Sequence, residues 1–212
     1  MASSRDPHGG QPVQHFGPPV DRARLVAVFL HGRGASPDDI LGIAAALQTD
    51  DVAYLAPQAA GNTWYPYSFL SPIPQNEPGI TSAIQVIATL VAAAGVPSER
   101  VAILGFSQGG CLALEFAARH AQRYAAIVGL SGGLIGPPGT PRDYAGSLNG
   151  TPVLLGCSDI DPHIPLERVR ESAAVFRRMG ALVDERIYPR MGHTVNEDEL
   201  TAVRALLSAR FR

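Results

Sequence analysis

The chain has 212 residues, enough for one domain with a single substantial core. A hydrophobic fraction of 46% excludes a disordered chain. The formal net charge of −2 gives no electrostatic basis for binding nucleic acid.

In chain order, residues 1–20 read as a loose polar lead-in to a single domain over 21–212, with Val13 to Phe16 as a candidate edge strand. The lead-in lacks the basic and apolar regions of a signal peptide, and no apolar run approaches the ~18 residues of a membrane-spanning helix. The expectation is a cytoplasmic protein with no integral membrane segment. Arg24 to Leu30 is apolar on both faces, as a strand inside a parallel sheet requires, and ends at His31-Gly32-Arg33-Gly34. Ser36-Pro37-Asp38-Asp39 then carries a helix start: a capping serine, proline at the first helical position and aspartate three residues after the cap. Ile40, Leu41, Ile43, Ala44 and Leu47 form its apolar face.

Asp51 to Ala56 is the next strand. The connection from Pro57 to Gly79 holds Trp64, Tyr65, Tyr67 and Phe69, and loops of this length commonly form functional walls or lids. Ile80, Ile84, Ile87 and Val91 recur at helical spacing until Gly95 and Pro97. Val101 to Leu104 reads as a buried strand, followed by Gly105-Phe106-Ser107-Gln108-Gly109 and a helix from Cys111 to His120. Tyr124 to Leu130 is a further strand, and Leu134 to Gly150 a second long loop. Thr151 to Gly156 leads into Cys157-Ser158-Asp159-Ile160-Asp161-Pro162-His163. A helix striped by Leu166, Val169, Ala173 and Phe176 carries Arg168, Glu171 and Arg178 on its other face. Leu182 to Tyr188 is the last strand; His193 lies in the loop beyond it, and Asn196 caps a final helix with Glu199 at its third position. This alternation implies an α/β layer fold with a mainly parallel sheet.

In such sheets ligands bind beyond the carboxyl ends of the strands, where Ser107, Asp159, Asp161, His193 and His31-Gly32-Arg33 all fall. The strand–Gly-x-Ser-x-Gly–helix order is a nucleophile elbow, whose glycines make room for a very sharp turn. The order Ser…Asp…His is the one this architecture uses. Each residue type has a chemical reason. A serine hydroxyl needs a base, an imidazole titrates near neutral pH, and a carboxylate orients the ring and stabilises its cation. Backbone amides of Gln108 and Arg33 are placed to meet a developing oxyanion. His31 reads as a structural support for that loop, and the Arg33 side chain as solvated. His8, His15 and His120 have no partner visible in the sequence, and the histidines fit no metal-ligand spacing. Cys111 and Cys157 read as two buried thiols. The basic residues, all 17 of them arginine, are scattered and read as a product of codon composition.

Four segments resemble the phospholipase/carboxylesterase family of the α/β-hydrolase superfamily, which includes bacterial carboxylesterases and acyl-protein thioesterases. They are Phe29-Leu30-His31-Gly32-Arg33-Gly34, Gly105-Phe106-Ser107-Gln108-Gly109-Gly110, Asp159 to Pro165 and Met191-Gly192-His193. The resemblance implies a three-layer α/β-hydrolase fold, with helices on both faces of a mainly parallel sheet and no large cap domain. It places the acid on Asp161, the aspartate followed directly by proline, and leaves Asp159 in support. It maps the oxyanion hole onto the backbone of Arg33 and Gln108. Trp64 and Tyr65 read either as a wall of the substrate pocket, which the loop's departure from a strand end favours, or as a core anchor for the long loop; His163 either lines the acyl pocket or packs beside the acid loop, and Leu134 is expected to help close the pocket. The implied activity is a serine carboxylesterase for short- to medium-chain esters, needing no cofactor or metal, with a small-molecule ester as its only implied partner. Thioesters and lysophospholipids are the neighbouring substrates. Arg33 and Ala35 depart from the leucine and aspartate usual in acyl-protein thioesterases. A non-catalytic hydrolase-like binding protein is the alternative of a different class, favoured by loss of a triad member. A dienelactone hydrolase needs a cysteine at position 107. The pattern is silent on monomer versus homodimer.

Overall fold

The computed structural model describes residues 6–209. Its strands are β1 (Val13–Phe16), β2 (Leu25–Leu30), β3 (Val52–Pro57), β4 (Val101–Phe106), β5 (Ala126–Leu130), β6 (Pro152–Ser158) and β7 (Leu182–Tyr188). They pair into one sheet in the order β1-β3-β2-β4-β5-β6-β7. All pairings are parallel except that of β1 with β3. Every residue of β2, β3 and β5 is buried, which explains their unbroken apolar runs. β7, at the far edge, keeps only a half-buried pattern, and Leu182 is 68% exposed.

Five helices cover the two faces: α1 (Pro37–Leu47), α2 (Gly79–Ala93), α3 (Gln108–Arg119), α4 (Leu166–Arg178) and α5 (Glu197–Ser208). Val28, Leu30, Ile103 and Ile127 pack under α2, α3 and α4, whereas Leu25, Phe29, Leu104 and Val128 face α1 and α5. This is the expected three-layer fold of the α/β-hydrolase type, with no large cap among the described residues. The helix starts read from sequence hold. Ser36 and Asp39 form a capping box on α1 with proline at its first turn, and Asn196 and Glu199 form another on α5. Among the described residues, no helix is long and apolar enough to cross a membrane.

Two features differ from expectation. The lead-in read as loose is tied down from His8 onward. The His8 ring is 3% exposed, donates from Nε2 to the Trp64 carbonyl (2.9 Å) and accepts at Nδ1 from the Ala60 amide (3.0 Å). Burial lowers its pKa, so the neutral ring that this pairing needs is favoured. Arg168, placed by spacing on an outward face, is 4% exposed. Its guanidinium donates to the carbonyls of Leu134 (2.7 Å) and Gly136 (2.6 Å) and pairs with Glu171 (2.8 Å). Arg142 reaches the same loop at Ile135 O and the same glutamate. The loop from Leu134 to Gly150 thus has carbonyls turned inward, and a planar multi-donor side chain is what satisfies them.

Arg168→Met leaves those carbonyls unpaired in the interior. The expected loss is about 2–3 kcal/mol of unfolding free energy, read from the urea midpoint at constant slope.

Candidate active site

Ser107 joins β4 to α3 with φ 56° and ψ −119°, a strained conformation for a residue with a side chain. The cause lies on either side. A Cβ on Gly105 would run into the Gly109 carbonyl, and one on Gly109 into the carbonyls of Leu30 and His31. Helix and sheet are therefore too close for a gradual turn. Gly32 lies against the serine, its own Cβ position 3.5 Å from Ser107 Cβ, so the His31–Gly34 loop flanks the hydroxyl. Among the described residues, the amides of Arg33 and Gln108 donate no hydrogen bond.

His193 Nε2 stands 2.8 Å from Ser107 Oγ, and Nδ1 stands 2.7 Å from Asp161 Oδ2. A carboxylate accepting at Nδ1 leaves Nε2 free to accept from the serine. The second oxygen of Asp161 accepts from the amides of His163 (2.8 Å) and Ile164 (3.0 Å). Burial opposes ionisation of Asp161, but these three bonds outweigh it and hold its carboxyl below the ordinary value. Asp159 has a different place: it accepts from the Arg190 amide (2.7 Å) and donates its own amide to the Tyr188 carbonyl (3.1 Å). It ties the Asp161 loop to the His193 loop. Phe106 (5.0 Å between rings) and His163 (4.8 Å, edge-on) confine the His193 imidazole.

A cavity of about 440 Å³ opens beside Ser107 and His193, lined by Arg33, Tyr65, Phe69, Gln108 and His163 among others. Tyr65 and His163, two of the four residues expected around the substrate, both line this cavity. Trp64 and Leu134 do not, and both are wholly buried. Trp64 is instead an anchor, its indole N–H donating to the His31 carbonyl (2.9 Å). The Arg33 side chain is also not simply solvated. It donates to Thr63 Oγ1 and to the carbonyls of Tyr65, Pro66 and Tyr67 (2.6–3.1 Å). The Gln108 side chain grips the same loop, accepting from the Trp64 amide (2.9 Å) and donating to the Tyr65 carbonyl (2.8 Å). His31 donates from Nδ1 to the Gly32 carbonyl and accepts at Nε2 from the Ala59 amide.

Tyr67, Phe69 and Cys111 belong to the cavity but were not singled out as its lining. The signal for Cys111 was its position one helical turn after Ser107, on the same face of α3. Burial pushes its thiol up to about 12, so it stays protonated and inert. Among the described residues, no group of three His, Cys, Asp or Glu side chains is arranged to hold a metal ion. The arrangement can draw a proton from Ser107 and present two amides to a charge forming nearby.

Beyond His193, the carboxyl of Glu199 is fully buried at the start of α5. Oε2 accepts from the Asn196 amide (2.9 Å), whereas Oε1 has no partner. Burial raises its pKa to about 7.

A family model described as phospholipase/carboxylesterase matches residues 15–210. The crystal structure of a phospholipase/carboxylesterase from Dyadobacter fermentans is 40% identical, with a TM-score of 0.89 over 93% of this chain and 96% of that one. The acyl-protein thioesterase 1 of Gibberella zeae is 32% identical over 119 residues, 53% of this chain and 49% of that protein. The chain spans about half the length of the curated relatives it matches. The crystal structure of esterase PE8, at 24% identity and a TM-score of 0.75, shares the fold over 93% of this chain and 96% of its own.

Glu199 generates a pH dependence. Its folded pKa of about 7 lies above its ordinary 4.5, so between these values the folded chain holds a proton that the unfolded chain has released. Stability therefore falls as pH rises through that window and stays low above it. Glu199→Gln keeps the acceptor for Asn196 and removes the slope. Thermal unfolding is expected to show the variant more stable than wild type near pH ~8 and close to it near pH ~5; an equal difference at both would contradict the assignment.

Proposed function

The chain belongs to the phospholipase/carboxylesterase family, and from that premise we propose a serine carboxylesterase that hydrolyses short- to medium-chain esters. The observation that carries the reading is the unbroken hydrogen-bond path from Ser107 Oγ through His193 to Asp161, at 2.8 and 2.7 Å. In this reading Ser107 Oγ attacks the ester carbonyl while His193 Nε2 takes the hydroxyl proton. Asp161, ionised and wholly enclosed, holds the ring and stabilises its cation. The amides of Arg33 and Gln108 receive the oxyanion, each worth ~2.7–4 kcal/mol of barrier. Collapse of the intermediate passes the proton from His193 to the departing alkoxide, releasing the alcohol and leaving an acyl-serine. A water, deprotonated by His193, then releases the carboxylic acid and restores the serine. The walls at Tyr65 and Phe69 bound the cavity, which supports acyl groups of modest length. The likeness to an acyl-protein thioesterase makes a thioester the second substrate to compare.

Ser107→Ala is expected to lower kcat/KM by about 10⁴-fold or more with cooperative unfolding retained, and to lose labelling by a fluorophosphonate. Activity within about tenfold of wild type would overturn the nucleophile. A series of p-nitrophenyl esters of increasing acyl length, run beside a thioester of one acyl group, is expected to peak at short to medium chains and to favour the oxygen ester. A peak at long chains, or a preferred thioester, would replace that part of the reading.

A further inference from the structure

A second cleft, of about 400 Å³, meets His193 from the side of Phe106, away from His163. Asp39, Gly42, Ile43 and Ala46 of α1 form one wall, at the i, i+3, i+4, i+7 spacing of a single helix face. Val195 and Leu200, from the loop after His193 and from α5, form the other. Phe106, His193 and Thr194 complete the lining. The two cavities share His193 among their lining residues; Ser107, Gln108 and Arg33 line only the first.

Ester cleavage divides a substrate at one atom. The acyl carbon bonds to Ser107 Oγ, so the acyl arm lies in the cavity that Ser107 lines. The departing oxygen takes its proton from His193 Nε2 and must come within hydrogen-bond reach of that ring. Its substituent then points past the imidazole, where the second cleft begins. We infer that the cleft between α1 and α5 binds the alcohol arm of the ester, and that this arm is uncharged and apolar. The inference rests on the ester-hydrolase reading above. The lining is largely apolar: its polar members are His193 itself, Thr194 beside it, and Asp39, whose carboxylate accepts from the Ser36 amide (2.8 Å) and hydroxyl (2.7 Å). That charge at the rim repels anionic alcohols such as phosphorylated ones.

Gly42 makes the cleft testable. No atom lies within 4 Å of a Cβ built on it, so a large side chain there has room and occupies the cleft. Gly42 is exposed and touches neither Ser107 nor His193 in the proposed chemistry, and replacing glycine inside a helix favours the helix. The experiment compares methyl butanoate with benzyl butanoate, which share an acyl group, in wild type, Gly42→Trp and Ala46→Trp. Expected is a loss of about tenfold or more in kcat/KM for the benzyl ester, with the methyl ester within about twofold. Benzyl alcohol should also inhibit methyl butanoate hydrolysis in wild type and much less in either variant. Wild-type turnover with unaltered selectivity and unaltered inhibition in both variants overturns the alcohol site alone. Wild type that hydrolyses neither ester, or Ser107→Ala that hydrolyses both, overturns the hydrolase reading and this inference with it.

Discussion

The start of α3 touches the sheet with nothing between backbone and backbone, and the site depends on that contact. Gly109 rests on the carbonyls ending β2, and Gly105 on the Gly109 carbonyl. Between the end of β4 at Phe106 and the start of α3 at Gln108 the chain has one residue in which to reverse direction, and Ser107 absorbs the turn with its positive φ. A strained residue persists only where its surroundings over-determine it. Here the amide of Ser107 is held by the Leu130 carbonyl (2.9 Å), and its carbonyl receives the Cys111 amide (2.9 Å). The same closeness sets Gly32 against the serine, so the elbow and the His31–Gly34 loop are positioned by one packing event.

Around this contact the polar groups act as a scaffold. The connection after β3 is long and has little regular structure of its own, so its backbone groups need partners from elsewhere. They come from separate stretches of chain: His8 from the lead-in, His31 and Arg33 from the loop after β2, and Gln108 from the first turn of α3. Burial lowers the pKa of His31 against the opposing bond to Gly32, in keeping with a neutral ring that accepts from Ala59. In the proposed chemistry Gln108 joins two tasks: its amide is assigned to the oxyanion, while its side chain fixes the loop that lines the cavity. Fixed donors around a reacting centre need no reorganisation when charge develops.

What was legible in the sequence follows from how local each signal is. Strand runs, the elbow glycines and both capping boxes depend on neighbours within a few residues, and these agree with the structure. Ser107, His193, Asp159 and Asp161 were singled out by their position after strands, and the structure brings Ser107, His193 and Asp161 within hydrogen-bond distance of one another in series. Spacing left Asp159 and Asp161 open, because both lie on one short loop; only the packing of the His193 loop separates their contacts. Leu134 is drawn into the hydrophobic cluster of the core, whereas Trp64 and Arg168 were misplaced for a common reason. Their environment is decided by backbone carbonyls arriving from distant segments, and a carbonyl leaves no mark on the residue that will satisfy it. A tryptophan beside a reactive site and an arginine on a helix look alike in sequence whether they face substrate, solvent or an inward-turned loop. His8 was unreadable on the same ground.

The arginines bear on this last point in another way. Arg24, Arg33, Arg100, Arg142, Arg168 and Arg204 each donate to main-chain carbonyls at loop turns or helix ends, often two at a time. A guanidinium keeps its charge far into the alkaline range, whereas a lysine ammonium loses its proton near pH ~10.4. With no lysine in the chain, none of these fastenings is released by base. Loops that lysine would release as its ammonium lost its proton stay pinned here, because the groups that close this backbone keep their charge.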